Sequence, residues 1–90
     1  MHYLYVLVSD SDDPESYIGI SADRDRRLEQ HNSGKNTSTR GRTWRLVYYE
    51  AYVSKRAAEK RERLLKNNGR SRQLLMKRIW ESLKEDDVVL

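Results

Sequence analysis

The chain has 90 residues and a mass of 10.7 kDa, enough for one small domain and no second. With 37% hydrophobic and 36% charged residues and a mean hydropathy of -0.98, the core must be small and the surface heavily charged. No run approaches the roughly 18 apolar residues of a membrane-spanning helix, and the lack of cysteine excludes disulfides, a thiol nucleophile and thiolate zinc sites.

In chain order, HYLYVLVS over residues 2–9 is rich in strand formers and predicts a first strand. DSDDPE over 10–15 carries the single proline and four acids, which predicts a turn. SYIGIS over 16–21 predicts a second strand that closes a hairpin, and Gly19 inside it signals a close approach or a bulge. Asp23 is a predicted N-cap for a helix to about Asn32, with Gly34 as its stop. On that helix Arg24, Arg27, Leu28 and His31 share one side by their spacing.

SGKNTSTRGRT over 33–43 predicts a loop, and WRLVYYEAY over 44–52 a third strand. Ser54 caps a predicted helix to about Asn68, with Ala57, Ala58, the Arg61 stem, Leu64 and Leu65 as its buried stripe and Gly69 as its end. Ser71 caps a predicted last helix that buries Leu75, Ile79 and Leu83, with Leu74, Met76 and Trp80 widening the face. The order β-β-α-β-α-α predicts an α+β fold, a small three-stranded antiparallel sheet flanked by helices. One domain is expected over 1–83, with 84–90 as a frayed tail. The N-terminus has no basic start and no small-residue cleavage site, so a cytoplasmic location is the expectation.

Charge is unevenly spread. Residues 1–22 hold four acids and no Lys or Arg, a net −4; residues 23–72 hold 15 basic and 6 acidic residues, a net +9. Arginine leads in that segment, and its planar fork suits phosphate. The segment points to a polyanion partner, most simply nucleic acid, against the plainer reading of a solvated surface.

Two tyrosines on neighbouring strands, Tyr5 and Tyr17, an Arg27–His31 pair one helical turn apart, and Glu62 between the inward-pointing Ala58 and Leu65 form a candidate constellation. One carboxylate is enough for a Mg2+ that keeps several waters and takes substrate phosphate oxygens. An arginine beside it neutralises charge developing on phosphorus, and a Tyr or His can take a proton from the attacking water. Other chemistries lack their parts. Two histidines do not make a His-rich metal site, the 10–15 turn lacks the Gly and distal Glu of an EF-hand, and there is no P-loop, GxGxxG or nucleophile elbow.

The order of these pieces resembles the GIY-YIG nuclease family. Tyr17-Ile18-Gly19 is the second half of the name intact; Tyr3-Leu4-Tyr5 stands for the first half and keeps its Tyr as Tyr5. RDRRLEQHNSGK is similar to the family's helix with its Arg and His, TRGRTWRLVYYE to the entry into the third strand, and AAEKRERLLK to the helix with its metal-binding Glu. The resemblance spans residues 3 to about 80 and is to compact stand-alone members, without the DNA-targeting domain of homing and repair relatives.

The resemblance implies a Mg2+-dependent DNA endonuclease, with Mn2+ as a substitute ion. Tyr5 and Tyr17 would line the site, one of them acting as or helping the general base. Arg27 would contact the scissile phosphate, His31 would assist proton transfer or orient a Tyr, and Glu62 would hold the metal. Gly19 would be structural, since a side chain there would crowd the site. Arg40, Arg42, Lys66 and Arg70 are expected to contact phosphates without reading sequence. The family's extra His, Lys or Tyr after the helix is replaced by Asn36–Thr39, and Asn67 and Asn68 are candidates for a late Asn. Single-stranded or branched DNA is the expected substrate. The alternatives are a nucleic-acid-binding module that does not cleave and an adaptor working with a partner chain.

Overall fold

The computed structural model describes residues 1–34 and 41–87. Three strands, β1 (His2–Ser9), β2 (Ser16–Ser21) and β3 (Trp44–Tyr52), form one antiparallel sheet in the order β2-β1-β3. Helix α1 (Arg24–Asn32) lies on one face; α2 (Lys55–Asn67) and α3 (Gly69–Asp87) cover the other. The α+β fold is the one the sequence predicts.

β1 is the centre of the molecule. Leu4, Tyr5, Val6 and Leu7 are all fully buried, because alternate side chains of a central strand feed two packed faces. Leu4 and Val6 join Ile18, Leu65, Leu75 and Ile79 on one face, while Tyr5 and Leu7 join Trp44, Tyr17, Leu28 and Leu46 on the other. β3 shifts register between Val6 and Leu7, where Val6 pairs with Tyr48 and Leu7 with Leu46. The extra residue changes which face the even positions meet: Trp44 and Leu46 pack toward α1, Tyr48 and Tyr52 toward α2 and α3.

The predicted turn is tied at both ends. The Ser9 amide donates to the Glu15 carbonyl at 2.9 Å and the Glu15 amide to Ser9 Oγ at 2.8 Å, and the Asp10 amide donates to the Thr43 carbonyl at 2.9 Å. The Asp23 side chain accepts from the Arg26 amide at 3.1 Å to open α1, and Gly34, with φ 78°, follows its C-cap in the left-handed conformation only glycine adopts cheaply. Ser54 accepts from the Ala57 amide to open α2.

The structure departs from expectation at three places. Gly69 does not end a helix but opens one: Asn68 closes α2 through its amide to Leu64, and its side chain then accepts from the Ser71 amide at 3.0 Å. A single residue thus joins the two helices, and Ser71 lies inside α3 rather than at its cap. Leu64 and Leu74, expected on buried stripes, are 44% and 59% exposed. Each lies about 100° round its helix from the buried Leu65 or Leu75, and a three-stranded sheet is too narrow to cover so wide a face. Helix α3 also continues through Lys84 to Asp87. No helix among the described residues is long and apolar enough to cross a membrane.

Candidate active site

The site begins with the register of β1 and β2. Tyr5 stands opposite Gly19, and Leu7 opposite Tyr17, so the two phenols share the face that α1 covers. Directly opposed side chains normally compete for space. Gly19 removes the competition: a Cβ there would lie 2.5 Å from Tyr5 Oη, 2.7 Å from Tyr5 Cζ and 3.0 Å from Tyr17 Cε1. The Tyr5 ring therefore crosses over β2 where a side chain would otherwise stand.

Helix α1 lowers two side chains onto these rings, one turn apart. His31 is fully buried, with Nε2 3.0 Å from Tyr5 Oη. Arg27 Nε donates to the same Tyr5 oxygen at 3.4 Å, and its Nη1 donates to Gln30 Oε1 at 3.0 Å. The Tyr17 ring lies 4.6 Å from the His31 ring, 6.3 Å from Tyr5 and 6.4 Å from Trp44, centre to centre. Asn32 clips the end of α1 to the start of β3, its Nδ2 donating to the Trp44 carbonyl at 3.0 Å while its Oδ1 accepts from the Trp44 amide. Gln30 and Asn32 were not among the expected site residues; their partners come from geometry that spacing does not reveal.

Burial sets the protonation states. Loss of water pushes the Tyr5 phenol above its ordinary value, partly opposed by the Arg27 guanidinium. Burial and then the charge of Arg27 push the His31 imidazole below its ordinary value. Arg27 is held more firmly protonated, chiefly by its hydrogen bond to Tyr5 and to a lesser degree by Tyr17. At neutral pH the pocket therefore holds a neutral imidazole between phenols and one fixed positive charge.

Glu62 stands on α2, one turn from both Ala58 and Leu65, which are fully buried. Its side chain is 21% exposed and pairs with Lys66 Nζ at 3.3 Å. Its charge also reaches Tyr5, adding to the rise of that phenol. Among the described residues no three His, Cys, Asp or Glu side chains gather as a metal cage. A single carboxylate suits a hard cation that keeps most of its water and takes phosphate oxygens, as Mg2+ does, and does not suit an ion needing a full set of protein ligands.

The expected phosphate contacts are scattered. Arg42 pairs with Glu15 at 2.9 Å, Arg70 is exposed in the first turn of α3, and Arg40 lies outside the described residues, as do Asn36–Thr39. Lys66 borders Tyr17 in a cavity at the edge of β2, where Arg72, which sequence reasoning missed, joins it. Of the late Asn candidates, Asn68 is the cap between α2 and α3.

A guanidinium and two phenols around a buried imidazole suit a tetrahedral anion such as phosphate, and they stand on a small antiparallel sheet. Residues 1–77 match the family model described as the GIY-YIG catalytic domain, and the chain belongs to this family. It is similar to the UPF0213 protein of Haloquadratum walsbyi, 36% identical over 72 residues that make up 78% of this chain and 81% of the relative. It is also similar to UPF0213 proteins of Streptococcus pneumoniae serotype 4, 41% identical over 71 residues (77% and 72% of the two chains), and of Halalkalibacterium halodurans, 41% identical over 71 residues (77% and 73%). No solved structure matches the chain.

Proposed function

We propose that this nuclease domain is a DNA endonuclease that hydrolyses phosphodiester bonds with a divalent cation held by Glu62, Mg2+ in the first place and Mn2+ as a substitute. The observation that carries the reading is the convergence of Tyr5, Tyr17, Arg27 and His31 on one pocket, with Glu62 near enough to charge it. The cation, when bound, supplies positive charge to phosphate oxygens. Arg27, kept protonated by the phenols, binds the scissile phosphate and offsets charge that builds on it in the transition state. Tyr5 is fully buried and anchors Arg27 and His31. Tyr17 is half-buried, so it is the phenol that meets the attacking water and helps take its proton, while buried His31 orients both rings. Single-stranded or branched DNA is the proposed substrate.

A second reading is a nucleic-acid-binding module that does not cleave. It is favoured by the Lys66 ammonium, which occupies Glu62 at 3.3 Å. Labelled single-stranded, duplex and flap oligonucleotides incubated with Mg2+ or with chelator separate the two. Cleavage in Mg2+ alone is expected, and Glu62→Gln, which weakens the residue holding the cation itself, should reduce it by at least about a hundred-fold, since losing even an outer-shell partner costs about 10–100-fold. Equal rates for Glu62→Gln and wild type would overturn the metal assignment, and binding without any cleavage would favour the second reading.

A further inference from the structure

At the outer edge of β2 a cavity of about 250 Å3 is lined by Ser16, Tyr17, Ile18, Lys66 and Arg72. Its chemistry is one-sided: two cations, two hydroxyls and, among the described residues, no acid in the wall. We propose that it is the seat of a second backbone phosphate of the substrate strand, next to the phosphate being cut. The proposal rests on the nuclease reading and adds to it the path the strand takes.

Three features support the placement. Tyr17 is shared, since one of its sides forms the cavity wall while its ring lies 4.6 Å from His31. A strand with one phosphate at Arg27 meets the seat across the shared Tyr17 ring. β2 is also an edge strand, so nothing in the sheet covers this side. Finally, the two cations are held together by the junction between the helices: Arg72 Nη1 donates to the Lys66 carbonyl at 3.4 Å across the Asn68 break. Had α2 run on without that break, residue 72 would have been carried along the α2 axis, away from Lys66. Lys66 further links the seat to Glu62 by its 3.3 Å ion pair, so the two halves of the site share a side chain. Arginine offers a planar fork to phosphate oxygens and lysine a point charge.

The test measures binding without cleavage. A short labelled single-stranded DNA oligonucleotide is titrated in chelator by fluorescence anisotropy across a salt series. The proteins are wild type, Lys66→Gln, Arg72→Gln, their double variant, and a Lys60→Gln/Lys77→Gln control that removes equal charge from exposed positions on the same two helices. Each phosphate contact on a single strand contributes about 0.7 to the slope of log K against log salt. The double seat variant should therefore lose about five-fold in affinity at about 0.1 M salt and lower the slope by about 0.7, each single variant losing part of that. The control pair should lose much less. A seat double variant that binds like wild type, or that loses no more than the control, overturns the proposal. If the seat variants lose affinity as expected but wild type never cleaves in Mg2+, the seat stands and the hydrolytic reading falls.

Discussion

At Gly19 a hydrogen atom stands where a methyl group would meet the Tyr5 hydroxyl at 2.5 Å and the ring carbon beneath it at 2.7 Å. Both contacts are shorter than real Cβ atoms make, and the ring cannot retreat. Tyr5 is fully buried on the central strand and pinned by His31 and Arg27. Gly19→Ala should therefore behave as overpacking, with a loss of about 1–3 kcal/mol in urea unfolding, and should also reduce cleavage by moving the Tyr5 oxygen away from His31 Nε2. A Gly19→Ala protein as stable as wild type would mean that the Tyr5 ring has somewhere else to go. The glycine was readable from the sequence as a close approach within a strand. What approaches it was not, because that depends on the register of β1 against β2.

Helix α2 serves both faces of its own buried stripe. Ala58 and Leu65 face the sheet, and at about 100° per residue Arg61 and Glu62 fall on opposite flanks of that line. Arg61 turns to β3 and grips Glu50 with two nitrogens, Nε at 2.9 Å and Nη2 at 3.0 Å, while the Tyr48 and Tyr52 hydroxyls donate to the same carboxylate. Glu62, on the other flank, lies near enough for its charge to raise the Tyr5 phenol. The Arg61–Glu50 pair thus fixes the rotation of α2 that presents Glu62. Burial raises the Glu50 pKa, but hydrogen bonds from Arg61, Tyr48 and Tyr52 outweigh it and hold the carboxyl below its ordinary 4.5. Burial, and then its hydrogen bond to the same carboxylate, push the Tyr52 phenol up to about 12. A carboxylate with a lowered folded-state pKa stabilises the fold fully above the unfolded value, and that stability is lost as pH falls through the folded value. Arg61→Met should therefore cost about 2 kcal/mol at pH 7, less than a fully buried pair because both partners keep some exposure, and the difference from wild type should shrink below about pH 4.5. Urea unfolding at several pH values checks it; a cost independent of pH down to pH 3 would assign the effect to lost packing of the Arg stem. Strand and helix bounds were legible because each is bracketed by a local signal: the acid turn, Asp23, Gly34 and Ser54. The α2–α3 junction was misread because Gly69 and Ser71 are ordinary stop and start signals, and Asn68 does both tasks with one side chain. The Glu50–Arg61 pair and Arg72 left no local signal at all, since each depends on where separate elements meet.

Tyr5, Tyr17, Arg27 and His31 sit on the face with the smaller cover, a single nine-residue helix, while α2 with Glu62 and most of the apolar packing lie on the other. α1 alone is far too short to be stable in isolation. Its support comes through β1, whose Leu4 and Val6 bury into one face while Tyr5 and Leu7 bury into the other. A change on either side of the sheet must then be felt across the strand, and the domain should unfold as one unit. The two tryptophans make this measurable, because Trp44 is buried in the α1-side cluster and Trp80 lies on α3. In Trp80→Phe the remaining fluorescence follows the α1 face; in Trp44→Phe it follows the far face. Within each variant the fluorescence midpoint in urea should coincide with that of far-UV circular dichroism. Were Trp44 fluorescence to change at lower urea than the helical signal, α1 would be opening by itself, and the pocket would be an element that substrate completes rather than one the fold holds ready. Coincidence means that Arg27 and His31 are held in place by the whole core. The temperature limit of cleavage would then follow the stability of residues such as Ile79, on the opposite side of the sheet from Tyr5 and Tyr17.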